Sequence, residues 1–405
     1  MKCKYLILGG GPAGLTFANY LKENNATDFI VVEECDEAGG LCKSALVDGA
    51  QLDMGGGHFL DAENHDACNF LFKFMPKEEW NEFKRDSQIY LNGSFIGHPI
   101  ESNIWQLPVE EQLKYLKSVA VAGCNLDVKM PDKFIDWIYW KLGTKIADDY
   151  MIPYNKKMFD DDLNQLGTYW LEKLPNVSFD DILLSCINKK PYGKEPGHTI
   201  FYYPKKYGYG ELWLRMSYEI KNNIIFNNKV DILDINEKYI VTDKNEKIYA
   251  DYIISTIPWT SIDNIQGVDD SLKNSIKRLK HTSVVIQYFS SQLDSNAHWI
   301  YYPSEEYSYH RILLRKNFLI NSNGHWTETN LTRFNDSANQ PYYINEYAYP
   351  LNTIDKPKIM DELLSYCIKR NVFGLGRWGE HQHYNSDKVV ILAINLANKL
   401  LNQYE

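Results

Sequence analysis

Apolar and polar positions follow two periods along this chain. A continuous apolar run, Tyr5-Leu6-Ile7-Leu8, leads into the glycine-rich stretch Gly9 to Gly14, and residues 15–21 then predict a helix. A second run, Phe29-Ile30-Val31-Val32, predicts another buried strand and ends at Glu33. Residues 1 to about 90 thus read as alternating strand and helix, the start of a doubly wound sheet. From Trp105 to about Leu184 the period is helical, with a helix start at Leu107-Pro108-Val109-Glu110-Glu111. Residues 132–142 and 145–151 carry apolar side chains at spacings of three and four. Residues 226–249 predict short strands and turns, and 251–258 a buried strand that ends at Pro258. Residues 282–289 and 298–302 alternate like antiparallel strands. The nucleotide pattern then returns, with a strand at 371–373, a glycine turn at 374–379, and a helix from about 388 to 401 capped near Ser386 or Asp387.

The first glycine stretch carries chemistry. Gly9 suits the tight turn, Gly11 lets backbone approach a pyrophosphate, and Gly14 lets helix pack on strand, with Pro12 and Ala13 between them. The helix that follows presents free N–H groups to phosphates. Glu33 is spaced to accept the hydroxyls of an adenosine ribose. Glu33-Glu34-Cys35-Asp36-Glu37-Ala38-Gly39-Gly40-Leu41 resembles the continuation seen in FAD-binding flavoproteins of the amine-oxidase type, which selects FAD over NAD. Asp53-Met54-Gly55-Gly56-Gly57-His58-Phe59 suits a loop lying against a flat isoalloxazine. Gly374 to Gly379 matches GxGxxG again, but no acid-terminated strand follows it. A second contact to the same FAD, with Arg377 facing the pyrophosphate, is therefore preferred to a second dinucleotide site.

Composition narrows the classes. The chain has 405 residues, enough for two or three domains, with 44% hydrophobic and 24% charged residues. No apolar run reaches the length of a membrane span, and the glycine turn cuts off the N-terminal run before it could act as a signal peptide. Seven scattered cysteines show no metal spacing and fit a reducing cytoplasm, and no metal is expected. A net charge of −10 argues against nucleic acid, so an anionic substrate would need locally placed Arg, Lys or Tyr.

Several further motifs resemble those of the UDP-galactopyranose mutase family, in order and nearly end to end. They are Gly56-Gly57-His58, the stretch from Tyr90 to Asn103, the stretch from Gly143 to Lys157, Trp299-Ile300-Tyr301-Tyr302-Pro303 with Tyr309-His310-Arg311, and Glu346-Tyr347-Ala348-Tyr349-Pro350. The resemblance implies an α/β fold with a discontinuous FAD-binding Rossmann-like domain of the GR2 type, a helical insert and an antiparallel β-sheet domain. The nucleotide domain would comprise residues 1–95, 201–265 and 366–405, the helical substrate domain 96–200, and the sheet domain 266–365. It also implies an isomerase in which reduced FAD, supplied with electrons by NADPH or NADH, attacks the anomeric carbon of a nucleoside-diphosphate sugar. The displaced diphosphate later recaptures a sugar whose ring has closed through a different hydroxyl. On this resemblance His58 and Arg311 are catalytic. Arg311 also binds the substrate diphosphate, together with Tyr154, Asn155, Lys173, Tyr309, Tyr349, His383 and Tyr384. Gly9, Gly11, Pro12, Ala13, Gly14, Glu33, Glu34, Gly40, Leu41, Gly56, Gly57, His58, Val230, Gly376, Arg377, Asn385, Ser386 and Asp387 would hold FAD. Surface-glycan precursor synthesis, a cytoplasmic location and a homodimer are the matching expectations.

Three positions depart from the family pattern. Lys173 stands where a second substrate arginine falls, His383 where a phosphate-binding tyrosine falls, and Glu101 where the nucleotide-side stretch has Gln. Lysine keeps the charge but loses the fork. A carboxylate near a diphosphate would be repulsive. The alternative activity is an FAD-dependent oxidoreductase of the amine oxidase or protoporphyrinogen oxidase type, and a third reading is a flavin-bound scaffold whose catalysis has lapsed.

Overall fold

The computed structural model describes residues 1–402 apart from 160, 161, 172, 173, 175, 176 and 194–196. Its nucleotide-type sheet has eight strands. Across it lie Ile224–Ile225, Phe29–Val32, Lys2–Leu8, Lys247–Ser255, Tyr239–Thr242, Val230–Asp234 and Asn264–Gln266, with Val372–Gly374 pairing on Lys247–Ser255. Lys2–Leu8 is parallel to both of its neighbours, Leu8 lying opposite Ser255 on one side and Val32 on the other. Central parallel strands are buried on both faces, which is why the sequence run is apolar throughout. Tyr5 and Ile7 join the core on one face, and Leu6 and Leu8 the core on the other.

Helix Pro12–Glu23 follows the first strand and packs against Ser386–Leu401. Gly11 is its N-cap, with extended backbone and no side-chain cap. Pro at the first helical position gives up no hydrogen bond there. A Cβ on Gly14 would sit 2.0 Å from the Gly9 carbonyl oxygen, so only glycine lets helix and turn approach this closely. The C-terminal helix starts at Ser386, two residues before the expected start near 388, with Asn385 as N-cap.

A second sheet stands beside the first. Its seven strands run in the order Tyr342–Pro350, His281–Phe289, His325–Asn330, Arg311–Leu313, Trp299–Tyr301, Ser87–Leu91 and Ser94–Gly97. Its pairs are antiparallel except where Trp299–Tyr301 meets Ser87–Leu91. Residues 87–97 thus lie in this sheet and not in the nucleotide sheet. A helical layer, Val109–Ala120, Phe134–Ile146, Ile152–Met158 and Phe179–Asn188, shares its core with the Ser87–Leu91 end through Ile89, Leu91 and Ile96. The break between the two helical stretches at 132–142 and 145–151 falls at Gly143, with φ 69°. The chain there runs against Val109–Ala120, and a Cβ would lie 2.4 Å from the Ser118 carbonyl oxygen.

Candidate functional site: a glycine-lined cleft beside an arginine pocket

The cleft forms where the glycine turn, the end of Phe29–Val32 and the second glycine cluster converge. Gly11 and Gly40 nearly touch, since a Cβ on Gly40 would lie 3.3 Å from the Gly11 Cα. Gly376, at φ 77°, closes on the same helix start, where a Cβ would lie 2.8 Å from that of Ala13. These approaches leave a cavity of about 610 Å³, within the range of cofactor sites. Gly9, Gly11, Pro12, Ala13, Glu33, Glu34, Gly40, Leu41, His58, Val230, Arg377, Tyr384 and Ser386 line it. Gly14 packs behind this wall, and Asn385 and Asp387 form the start of Ser386–Leu401.

Glu33 is buried at the end of its strand. One carboxylate oxygen accepts from the Gly10 N–H at 2.6 Å and the other from the Cys35 N–H at 3.0 Å, which fixes it across the mouth of the turn. Burial and the Glu33 charge push the neighbouring Glu34 carboxyl up. Neither Pro12–Glu23 nor Ser386–Leu401 has a side-chain cap, so both present unfilled N–H groups where their first residues meet the cleft. Asp387 accepts from Asn64 at 3.1 Å, and its other oxygen is buried with no hydrogen-bond partner.

Arg377 differs from the reading that aims it wholly at a pyrophosphate. Its guanidinium donates to the Tyr384 carbonyl from two nitrogens, at 2.8 and 3.1 Å, and to the Ala348 carbonyl at 3.0 Å. It thereby ties the second glycine cluster to the strand Tyr342–Pro350 while still lining the cleft. Burial lowers its proton affinity.

The Gly56-Gly57-His58 loop bridges cleft and pocket. Buried Asp53 anchors its start, accepting from Ser44 at 2.6 Å, Tyr203 at 2.9 Å and the Tyr209 N–H at 3.1 Å. Burial nevertheless pushes that carboxyl up to about 6. His58 Nδ1 lies 3.0 Å from the Gly56 carbonyl, so that nitrogen carries the proton and Nε2 the lone pair. Burial and then Arg377 lower His58 to about 4, and the ring is neutral at pH 7. The Gly57 N–H donates to Glu328 at 2.9 Å.

Glu328 organises the pocket around Arg311. It sits in His325–Asn330, a strand whose six residues are all buried, directly opposite Arg311. One of its oxygens takes both Nε and Nη2 of Arg311 at 2.6 Å. His310 Nε2 approaches the same oxygen at 3.5 Å. Burial alone would raise the Glu328 carboxyl, but Arg311 and His310 outweigh it and hold it at about 2. Burial opposes the Arg311 charge, and Glu328 more than restores it. With Nε and Nη2 occupied, Nη1 of Arg311 has no hydrogen-bond partner among the described residues. Tyr154 stands edge-on to Tyr301 at 5.4 Å and to His310 at 6.0 Å, and Tyr349 packs against His383 at 4.8 Å. Arg377 lies over the Tyr349 ring at 5.7 Å and so links this pocket to the cleft.

The remaining candidates fall elsewhere. Asn155 is buried and donates to the Met151 carbonyl at 2.7 Å within its own helix. Tyr309 packs with Tyr302 and Tyr307 at 5.0 and 5.4 Å, in a separate aromatic group with Tyr90. Lys173 lies outside the described residues. Tyr384 donates from its hydroxyl to Glu380 at 3.1 Å. Glu101 is buried and near Tyr150, and burial pushes its carboxyl up to about 7, which blunts the repulsion expected of a full carboxylate. Sequence reasoning missed Glu328. The one available signal was an acid flanked on both sides by threonine in a short strand that also holds His325 and Trp326.

Fold and cleft together define a protein of the doubly wound, Rossmann-like class, carrying a second sheet and a helical insert. An NAD(P)-binding Rossmann-like domain family matches residues 7–74. The whole-chain fold is that of a crystal structure of reduced UDP-galactopyranose mutase, with a TM-score of 0.88, 20% identity, and 100% of this chain covering 94% of that one. A fatty acid isomerase from P. acnes, described as CLA-producing, is similar at TM-score 0.65 and 14% identity, with 98% of each chain covered. A putrescine oxidase with bound putrescine is similar at TM-score 0.63 and 12% identity, with 99% of each chain covered. The likeness read from the motifs is thus a likeness of fold that runs through the whole chain. No helix among the described residues is long and apolar enough to cross a membrane.

Proposed function

We propose that the protein is a flavin-dependent mutase that interconverts pyranose and furanose forms of a nucleoside-diphosphate sugar. One observation carries this reading. A partly buried arginine, Arg311, is oriented by the fully buried Glu328 with one nitrogen open, in a tyrosine-walled pocket that shares Arg377 and the His58 loop with the glycine-lined cleft. The fold match to reduced UDP-galactopyranose mutase supports the same assignment.

The cleft fits FAD. Glu33 would meet the ribose, the uncapped start of Pro12–Glu23 the pyrophosphate, and the start of Ser386–Leu401 the flavin ring. Reduced FAD, replenished by NADPH or NADH, would supply a nucleophilic nitrogen for the anomeric carbon. The chain's own residues do the rest. Arg311 holds the diphosphate leaving group and stabilises its charge through the sugar's departure and return. Glu328 keeps Arg311 from swinging away. Tyr154 and Tyr349 add hydroxyl donors whose protons burial retains. Neutral His58 can accept a proton at Nε2 from a sugar hydroxyl as the ring closes.

Anaerobic turnover tests the reading against the oxidoreductase alternative. Dithionite-reduced protein should convert substrate over many cycles with no stoichiometric loss of reductant, and the oxidised protein should be inert. Hydrogen peroxide release matched to turnover in air would contradict the proposal.

A further inference from the structure

Arg85 lies just ahead of the strand Ser87–Leu91. Its Nε donates to the Ser87 hydroxyl at 3.0 Å, and Nη1 donates to the Gly197 carbonyl at 2.6 Å. Nη2 reaches His98 Nδ1 at 3.1 Å and the Tyr301 hydroxyl at 3.4 Å. The guanidinium lies over the Trp299 ring at 4.9 Å. Tyr301 is paired directly with Arg311 across the two strands, so Arg85 and Arg311 flank one tyrosine. His98 accepts from Arg85 and is held neutral, chiefly by burial and then by that same arginine, which leaves its Nε2–H as a donor.

Charge balance makes this cluster unusual. Arg311 has Glu328, but among the described residues neither Arg85 nor Arg377 forms an ion pair with any carboxylate. Burial lowers the Arg85 charge state, and Arg311 adds like-charge repulsion. Even a partly buried cation without a counter-ion carries a desolvation cost that a ligand of opposite charge would offset. Arg315 shows the other solution. Unlike Arg85 it is fully buried, and its donors go to the carbonyls of Val47, Ala50 and Asn323 and to the Tyr288 hydroxyl. Arg85 also has a partner for each nitrogen, but its Nη1 carries a second N–H beyond the one given to Gly197, and it sits beside another guanidinium that has a nitrogen open.

We propose that Arg85 is the second guanidinium of a diphosphate-binding pair with Arg311, taking an oxygen of one phosphate while Arg311 takes the other. Position 173 holds a lysine, so Arg85 restores a planar fork that lysine lacks. The inference rests on the mutase reading of the pocket. It adds that the ligand is held from both sides of Tyr301.

Equilibrium binding to the FAD-loaded protein provides the test, with UDP and inorganic pyrophosphate as anions and uridine as the phosphate-free control. Arg85→Ala should weaken UDP and pyrophosphate by about tenfold or more, the usual weight of a charge-assisted contact, and leave uridine unchanged. It should also flatten the salt dependence of UDP binding. Arg85→Lys should keep that salt dependence but recover only part of the affinity. If Arg85→Ala loses its flavin or melts early, Arg85→Lys and the pyrophosphate series carry the test. Unchanged UDP affinity in both Arg85 variants, while Arg311→Ala weakens it, would overturn the proposal and make Arg85 a brace for Gly197 and Trp299. An equal loss for uridine would overturn it as well. Failure of the mutase reading itself looks different, because the wild type would then bind neither UDP nor pyrophosphate.

Discussion

Arg311 and Glu328 set what the pocket can do. A buried pair of this kind is weak evidence for stability, because desolvation consumes most of the attraction. It is better evidence for orientation, since Glu328 fixes two of the three guanidinium nitrogens at 2.6 Å and leaves the third unengaged. Arg311→Ala should lower kcat/KM by about ten- to a hundredfold, the equivalent of roughly 1.5 to 3 kcal/mol for a contact to a charged ligand. It also strands the Glu328 carboxylate, so a loss of stability should accompany it. Arg311→Lys separates the two effects. Steady-state kinetics should show only partial rescue, because lysine supplies the charge without the fork. Wild-type kcat/KM in Arg311→Lys would mean that fork geometry plays no part in turnover.

At the scale of elements, the glycine positions made the cleft legible. Gly9, Gly11, Gly14 and Glu33 were readable because a tight turn, a close backbone approach and a strand-end acid are local requirements. The second cluster was readable for the same reason, and Gly376 shows its cost. Its φ of 77° and the 2.8 Å from a Cβ to Ala13 make Gly376→Ala strained and overcrowded. That variant should retain less FAD, measured as released flavin per mole of protein, and full occupancy would contradict the close-approach account. The second sheet was only partly legible. His281–Phe289 and Trp299–Tyr301 alternate recognisably, but the parallel pairing of Trp299–Tyr301 with Ser87–Leu91 joins segments about 200 residues apart. Arg85 and Glu328 stayed hidden for that reason, since their partners come from pairings that local period cannot encode. The start of Ser386–Leu401 was placed two residues late because Ser386 and Asp387 look like turn residues when read without the extended Asn385 before them.

For the whole molecule, eight histidines are held below the ordinary range by burial, including His381 and His58, both near 4. Each is neutral when folded and ready to bind a proton when unfolded, so the unfolded chain takes up more protons as pH falls from about 6.5 towards 4. Stability therefore drains away across that window. For fully buried His381 alone the shift corresponds to about 3 kcal/mol. Asp53 and Glu101, raised by burial to about 6 and about 7, act in the opposite direction and offset part of the loss. Thermal melts of the flavin-loaded protein should show Tm falling between pH 6.5 and 4. A flat or rising Tm there would mean that the histidines are not buried as described.

The central claim joins the cleft and the pocket in one reaction, and ring form is its most direct readout. Dithionite-reduced protein would be incubated without oxygen with a panel of nucleoside-diphosphate sugars, UDP-galactose among them, and the products separated as pyranose and furanose forms. The expected result is an equilibrium mixture of both forms for at least one sugar nucleotide, approached from either side, absent with oxidised protein and sharply reduced in Arg311→Ala. No change of ring form for any member of the panel, from a protein that holds reduced flavin and binds UDP, would contradict the account.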